Sequence, residues 1–393
     1  MVTSTNYTDL SYVEETVAGT TPTSPVFNII PTTDGTPEGN ITTTVSETIR
    51  SDRQTDDLVP VDADVGGPFN YEISYSPFKP LIKSLLQSAA AAGSVDSSSS
   101  DLTFGNPAAG VQPLDDNAGG AFTGVVAGQY IAVGGASYPA NNGVFLVKTV
   151  TDNSTISIVN AAGISSANDS GVTFKGESWR NGADTPDSYT FCKRVLGTDV
   201  PAFFYYKGCQ ISQMSFNFET GSILTGAGEL VGLQEDVTET PYFGQTFDNP
   251  PAYDLMNSVS SVVNVAIGGL AETTKFSSLD LTITNNISSA KRIGVLGAAG
   301  LASFALDITG SISIYFEDIA AYTKFKNSES FDIAFTLQDV SGNIMVISMP
   351  KAKFESLATP IAGKDNFLMM EGSVRALRNT DTDHMIQFTF IDA

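Results

Sequence analysis

The stretch that most limits what this chain can become is residues 205–233, YYKGCQISQMSFNFETGSILTGAGELVGL. Met214, Phe216 and Phe218 alternate there with Ser215, Asn217 and Glu219. A period of two belongs to a strand with one dry and one wet face, because successive Cβ atoms point to opposite sides. Thr220, Gly221 and Ser222 supply a turn, with glycine free to take a positive φ. The return run puts Leu224, Gly226, Gly228 and Leu230 on one face and Thr225, Ala227, Glu229 and Val231 on the other. One face is apolar and the other small and polar, so this hairpin separates a core from water.

Composition narrows the function. With 41% hydrophobic and 10% aromatic residues, the 393-residue chain can bury a real core. Its 43 acids against 20 bases leave a formal net charge of -23, a balance that repels nucleic-acid phosphates. The start, MVTSTNYTDLSYVEE, lacks the basic residues and apolar run of a secretory signal. No run approaches the ~20 apolar residues of a membrane span, so no membrane partner is expected.

Catalytic chemistry finds little purchase, and neither an enzyme nor a cofactor or metal is expected. A Ser-His-Asp set or a histidine metal site would have to use the single histidine, His384, which reads as part of a turn before the final strand. The glycines of GAGELVG have the wrong spacing for a nucleotide loop. Cys192 and Cys209 flank a turn and would permit a disulfide if their strands placed them opposite each other; two reduced, buried thiols are the plainer reading.

Along the chain, residues 1–40 read as an extended arm too poor in apolar residues to fold alone, with one strand at SPVFNII. ITTTVSETIRSDR reads as a strand, TDDLVPVDADVGG as a loop, and PFNYEISYS as a strand facing inward with Phe69, Tyr71, Ile73 and Tyr75. A helix follows, with Ser76 as cap, Pro77 in the first turn, and Leu81, Ile82, Leu85 and Leu86 as its apolar stripe down to the alanines at 89–92. The run VDSSSSD looks like a junction. Short β-prone pieces between turn signals over 101–187 read as a small inserted all-β domain. Residues 234–261 form a long connection. Strands resume at SSLDLTITNNI, and the remainder reads as an antiparallel meander with a short helix at IAAYTKFKN. The fold class is mainly β: an antiparallel sandwich or barrel with a flanking helix, divided as 41–100 and 188–393 around the insertion.

IRSDRQTDDLVPVDADVGGPFNYEISYSPFKPLIKSLL resembles the N-terminal signature of siphophage-type tail tube proteins, the major tail proteins of long non-contractile tails. The 205–233 hairpin, TGSISIYFEDIAAYTKFKN and the closing strands resemble the same family. The likeness covers 41–92 and 188–393. It implies a structural virion protein, assembled in the host cytoplasm, that forms hexameric rings stacked into a tube. Each subunit would lend strands to a shared inner barrel, while loops and the arm bridge rings. It also implies partners: a tape-measure protein inside the tube, terminator and distal tail proteins at its ends, and viral double-stranded DNA in passage. On this reading Asn217, Glu219, Glu229, Asp280, Thr282 and Thr284 face the channel, or else outer solvent. Arg50, Asp52, Arg53, Asp56 and Asp57 form ion pairs between subunits, or else a solvated charge run. The alternative function is a β-rich adhesin or receptor-binding tail protein, which would give discrete particles instead of stacked rings.

Overall fold

The 205–233 hairpin forms as its alternation dictates. Strand Ala202–Glu219 turns through Gly221, at φ +77°, into Thr225–Gly232, with Asn217 opposite Thr225 and Met214 opposite Gly228. Glycine at 226 and 228 has a steric cause. A Cβ on Gly228 would lie 2.1 Å from the Phe69 ring, and one on Gly226 would lie 2.5 Å from the Ser215 carbonyl oxygen. Both aromatic rings of the neighbouring strand, Phe69 and Tyr71, therefore lie across these glycines and are fully buried. The structure is a computed structural model that describes residues 3–35, 37–88, 90–184, 186–268, 276–361 and 363–393.

The chain is mainly β and sandwich-like, and among the described residues no sheet closes into a barrel. Its pairing pattern occurs twice. In the first half Thr8–Glu15 pairs with Ser188–Val195, which pairs with Ala202–Glu219. That strand pairs with Thr225–Gly232, which pairs with Leu58–Glu72, and the last position is held by Thr32–Gly35 and Glu38–Val45. In the second half Val262–Ile267 pairs with Phe331–Gln338, then Ile344–Ala358, Met369–Ala376, Asp307–Tyr315 and Phe276–Thr284 in the same relation. Each half adds one later strand, Gln234–Thr238 or Gln387–Ile391, beside the N-terminal part of its longest strand.

A helix, Lys79–Leu85 or Ala320–Lys326, follows the same strand in each half. The register irregularities coincide as well: Tyr189/Phe191 with Phe331/Ile333, Ile211/Gln213 with Phe354/Ser356, and Thr32/Asp34 with Phe276/Ser278. The chain thus holds two copies of one β unit in tandem. They join edge to edge where residues 213–219 pair with 278–284.

The join makes one sheet of eight strands, from Glu38–Val45 through to Ile344–Ala358. Its apolar face carries Phe216, Leu230, Leu281, Ile283, Ile312 and Val374, all buried against the second layer. Phe218 stacks on Phe335 at 5.6 Å and Phe216 meets Phe388 at 5.5 Å.

Several sequence expectations give way here. Residues 3–35 and 37–40 do not form a free arm. Thr8–Glu15 pairs along its length with Ser188–Val195, and Leu10, Tyr12, Phe27 and Ile30 are buried. The few apolar residues of this segment suffice because they complete a core that other strands supply. TDDLVPVDADVGG lies mostly within strand Leu58–Glu72, which forms a long projecting hairpin with Glu38–Val45. The first helix begins later than expected, with Pro80 in its first turn and no capping side chain, and ends before Gln87, whose φ is +50°. Its apolar stripe is buried as expected; Ala89 lies outside the described residues.

VDSSSSD is largely strand Gly93–Ser99, paired with Val172–Arg180, because Val95 and Ser99 alternate inward. Residues 95–174 hold a separate apolar cluster around Leu102, Phe122, Ile131 and Phe174. Val172–Arg180 also pairs with Gln387–Ile391, so the two sheets are continuous. Glu177 accepts hydrogen bonds from Lys79 and Lys83 at 2.8 Å and from the Trp179 indole at 2.9 Å. Burial would raise its pKa, but these bonds outweigh burial and hold it at about 2. The long connection 234–261 contains strands Gln234–Thr238 and Thr246–Asp248. The C-terminal half is no simple meander, since Asp307–Tyr315 pairs with Met369–Ala376 and not with Phe331–Gln338.

Candidate functional site

The polar face of the eight-strand sheet assembles residues far apart in sequence. Asn217 lies opposite Thr225 on one side and Asp280 on the other, and Asp280 in turn opposite Ser311 and then Ser373. The adjacent row runs Ala227, Ser215, Thr282, Thr309, Arg375, Lys353. Glu229 lies opposite Gln213, which lies opposite Thr284, and Glu219 lies opposite Ser278. All six residues singled out from the sequence, Asn217, Glu219, Glu229, Asp280, Thr282 and Thr284, therefore share one face.

The polar groups tie neighbouring strands together. The Ser311 hydroxyl donates to Asp280 at 2.9 Å, and Thr284 donates to Gln213 at 3.2 Å. Arg375 brings a positive charge to the face, but Glu355 and Asp307 flank it, and its hydrogen bonds to them raise its pKa. The acids Glu72, Glu229, Asp280 and Glu371 stand on the same face. It is a hydroxyl-rich surface with carboxylates spread across it; among the described residues of these rows its cations are Arg375, flanked by acids, and Lys353 at the end of a row, which donates to the Ser328 hydroxyl at 3.1 Å. The second half of this surface escaped sequence reasoning, although ALDITGSISIYFED carries the signal: Thr309, Ser311 and Ser313 alternate with Ile308, Ile312 and Ile314.

The five charged candidates gather at the tip of the projecting hairpin. Arg50 donates to Asp52 and Asp56, at 2.7 Å each. Those bonds raise the Arg50 pKa, and Arg50 lowers that of Asp52. Arg53, at φ +61°, and Asp57 complete the same loop, and the Asp57 carboxylate accepts from the Leu58 amide at 2.7 Å. Beyond Phe276–Thr284 the second unit projects a matching hairpin, Ser288–Lys291 with Ala298–Ala302. Lys291 bridges the two projections by pairing with Asp62 at 2.9 Å and with Asp64. Apolar side chains are left in water on both: Ile41, Val45, Ile49 and Val61 on the first, Ile293 and Leu296 on the second.

A family model described as phage tail tube protein matches residues 5–382. The chain belongs to that family. A search of curated proteins finds no match. As a tail tube protein it is a structural component of the virion tail that self-assembles into a tube. No helix among the described residues is long and apolar enough to cross a membrane.

The remaining reactive groups of this tail tube protein have structural surroundings. His384 is 2% exposed, and its Nδ1 lies 2.9 Å from the Thr382 carbonyl oxygen. Burial, with Arg180 nearby, lowers its pKa to about 4, so the ring is neutral at pH 7. Cys192 and Cys209 are free and buried, and burial pushes both thiols up. Their strands do pair, but Cys192 lies opposite Tyr205 and Cys209 opposite Tyr189.

Proposed function

We propose that six β units of this kind close into a ring with the hydroxyl-rich face inward, and that stacked rings form the channel through which viral DNA passes during ejection. The observation that carries this reading is the continuous sheet itself: one face packs a core, while the other is polar and acidic, its side chains half-buried or exposed with no second layer over them among the described residues. About four strands per unit give ~24 strands at ~4.8 Å, a circumference on the order of 115 Å and a backbone diameter of roughly 37 Å before tilt. A wall with dispersed carboxylates offers the DNA polyanion no binding sites, so the duplex slides.

The two projecting hairpins lie side by side, joined by Lys291, and carry exposed apolar side chains and the Arg50 cluster. On this reading they reach the adjacent ring. Residues 101–187 decorate the exterior, a tape-measure protein fills the tube before DNA, and terminator and distal tail proteins close its ends. The experiment is negative-stain microscopy of the purified chain beside a variant in which a two-residue turn replaces residues 46–57. The intact chain is expected to form hollow tubes of stacked rings, and the variant to form rings that stack poorly. Discrete unstacked particles from the intact chain contradict the tube, and long tubes from the variant contradict the stacking role.

A further inference from the structure

The join between the two units is a strand-to-strand junction within one chain. Within the chain, the C-terminal part of the first unit's longest strand pairs with the outer strand of the second unit. Gln213 lies opposite Thr284, Met214 opposite Ile283 and Ser215 opposite Thr282. The second unit's longest strand, Ile344–Ala358, has the same bulge, but past it this strand pairs only with Met369–Ala376 among the described residues. At the other end of the sheet, the outer strand of the first unit, Glu38–Val45, pairs only with Leu58–Glu72 among the described residues. The sheet thus ends in two open edges that are the two halves of the junction it already contains.

Side-chain burial gives a second, independent sign. Phe218, six residues past the bulge residue Ser212, is 8% exposed. It stacks on Phe335 of the second unit and forms one wall of a cleft of about 320 Å³, opposite Val265, Phe276 and Leu279. The corresponding position six residues past Glu355 is Ile361, and it is 90% exposed. The first unit has the corresponding cleft, about 380 Å³, with Leu10, Thr32, Gly35 and Lys193 at the matching positions. A protruding apolar side chain and an unfilled cleft stand at opposite ends of one sheet.

We propose that these ends join between copies of this chain. Residues 356–358 of one copy lie antiparallel to 38–40 of the next, Ser356 opposite Asn40 and Ala358 opposite Glu38, and Ile361 fills the cleft beside Leu10 and Lys193. Pro37 and Pro360, which lack an N–H, bound the ladder to this short stretch. Because each chain supplies two units, a six-unit ring closes with three chains, a count that rests on the ring reading above. The contact is head-to-tail, the kind that yields closed rings.

The test is a Glu38→Cys, Ala358→Cys double variant, oxidised after assembly and run without reductant. Opposed residues of an antiparallel pair have Cα atoms roughly 4.5–5.5 Å apart, within disulfide range, and the native thiols are buried. Covalent species up to three chains and no larger are expected, with none in either single variant. Species up to six chains overturn the count, and wild-type rings whose double variant gives no cross-link overturn the contact while leaving the tube reading intact. A wild-type chain that stays monomeric overturns both. Ile361→Asp supplies a second readout: with a side chain already in water, the variant should keep its thermal midpoint yet lose ring formation, and normal rings contradict the docking.

Discussion

Phe216→Ala is expected to cost the isolated chain about 3–5 kcal/mol of folding stability, while Asn217→Ala, one residue along the same strand, costs less than about 0.5 kcal/mol. Phe216 is 1% exposed and packs against Phe388 and Tyr71 from two other strands. Removing the ring loses its transfer energy and leaves a cavity that the rigid sheet layers cannot close. Asn217 stands on the polar face, where a shorter side chain is replaced by water. Urea unfolding measures the contrast: the midpoint should fall for Phe216→Ala with an unchanged slope, and barely move for Asn217→Ala. Similar losses for the two would mean that the sheet has no polar side, and the channel reading would lose its basis.

The second large effect is on DNA passage. A Glu229→Lys, Asp280→Lys double variant should fold and polymerise, because both side chains are exposed on the polar face. In a three-chain ring it places six lysines on the wall. Six or more phosphate contacts give an affinity that falls about 10³-fold or more between 50 and 200 mM salt. Particles with such tubes are expected to retain DNA at low salt and release it as salt is raised. Ejection kinetics across that range, beside wild type, measure it. Wild-type ejection at low salt contradicts an inward-facing Glu229 and Asp280.

Local alternation could be read from the sequence; partnership could not. The wet and dry faces of 213–219 and 278–284 follow from side-chain period alone, and the structure keeps both. Which strand lies beside which depends on long-range pairing that period cannot encode: a meander sets Asp307–Tyr315 beside Phe331–Gln338, whereas the structure pairs it with Met369–Ala376. Strand Leu58–Glu72 is obscured in the sequence by Pro60 and two aspartates, Asp62 and Asp64, residues tolerated there because this part of the strand lies outside the packed body. Strand Gly93–Ser99 was obscured by serines whose inward members hydrogen-bond, as Ser99 does to Asp116.

The tandem duplication left even less trace. Matching positions carry unlike residues, Phe335 against Lys193 and Leu279 against Gly35, because Phe218 packs on the second unit's cleft within the chain and no such ring covers the first unit's among the described residues. What repeats is backbone geometry: the bulges, and the glycines at 67 and 310 and at 228 and 372, which sit at matching register positions. Pairing registers reveal such a repeat, and composition does not. For the wall surface, the sequence reached the half carried by the first long strand and its immediate partners, and missed the rows that continue through Thr309, Ser311 and Ser373.

The most direct measurement is side-chain-resolution cryo-electron microscopy of the assembled tube. Asn217, Asp280, Thr282 and Ser311 should project into the central channel, with Phe216 and Leu281 inside the wall and three chains completing each turn of six units. Density that puts those polar residues on the outer surface or against another protein layer, or a channel lined mainly by lysine and arginine, contradicts the account.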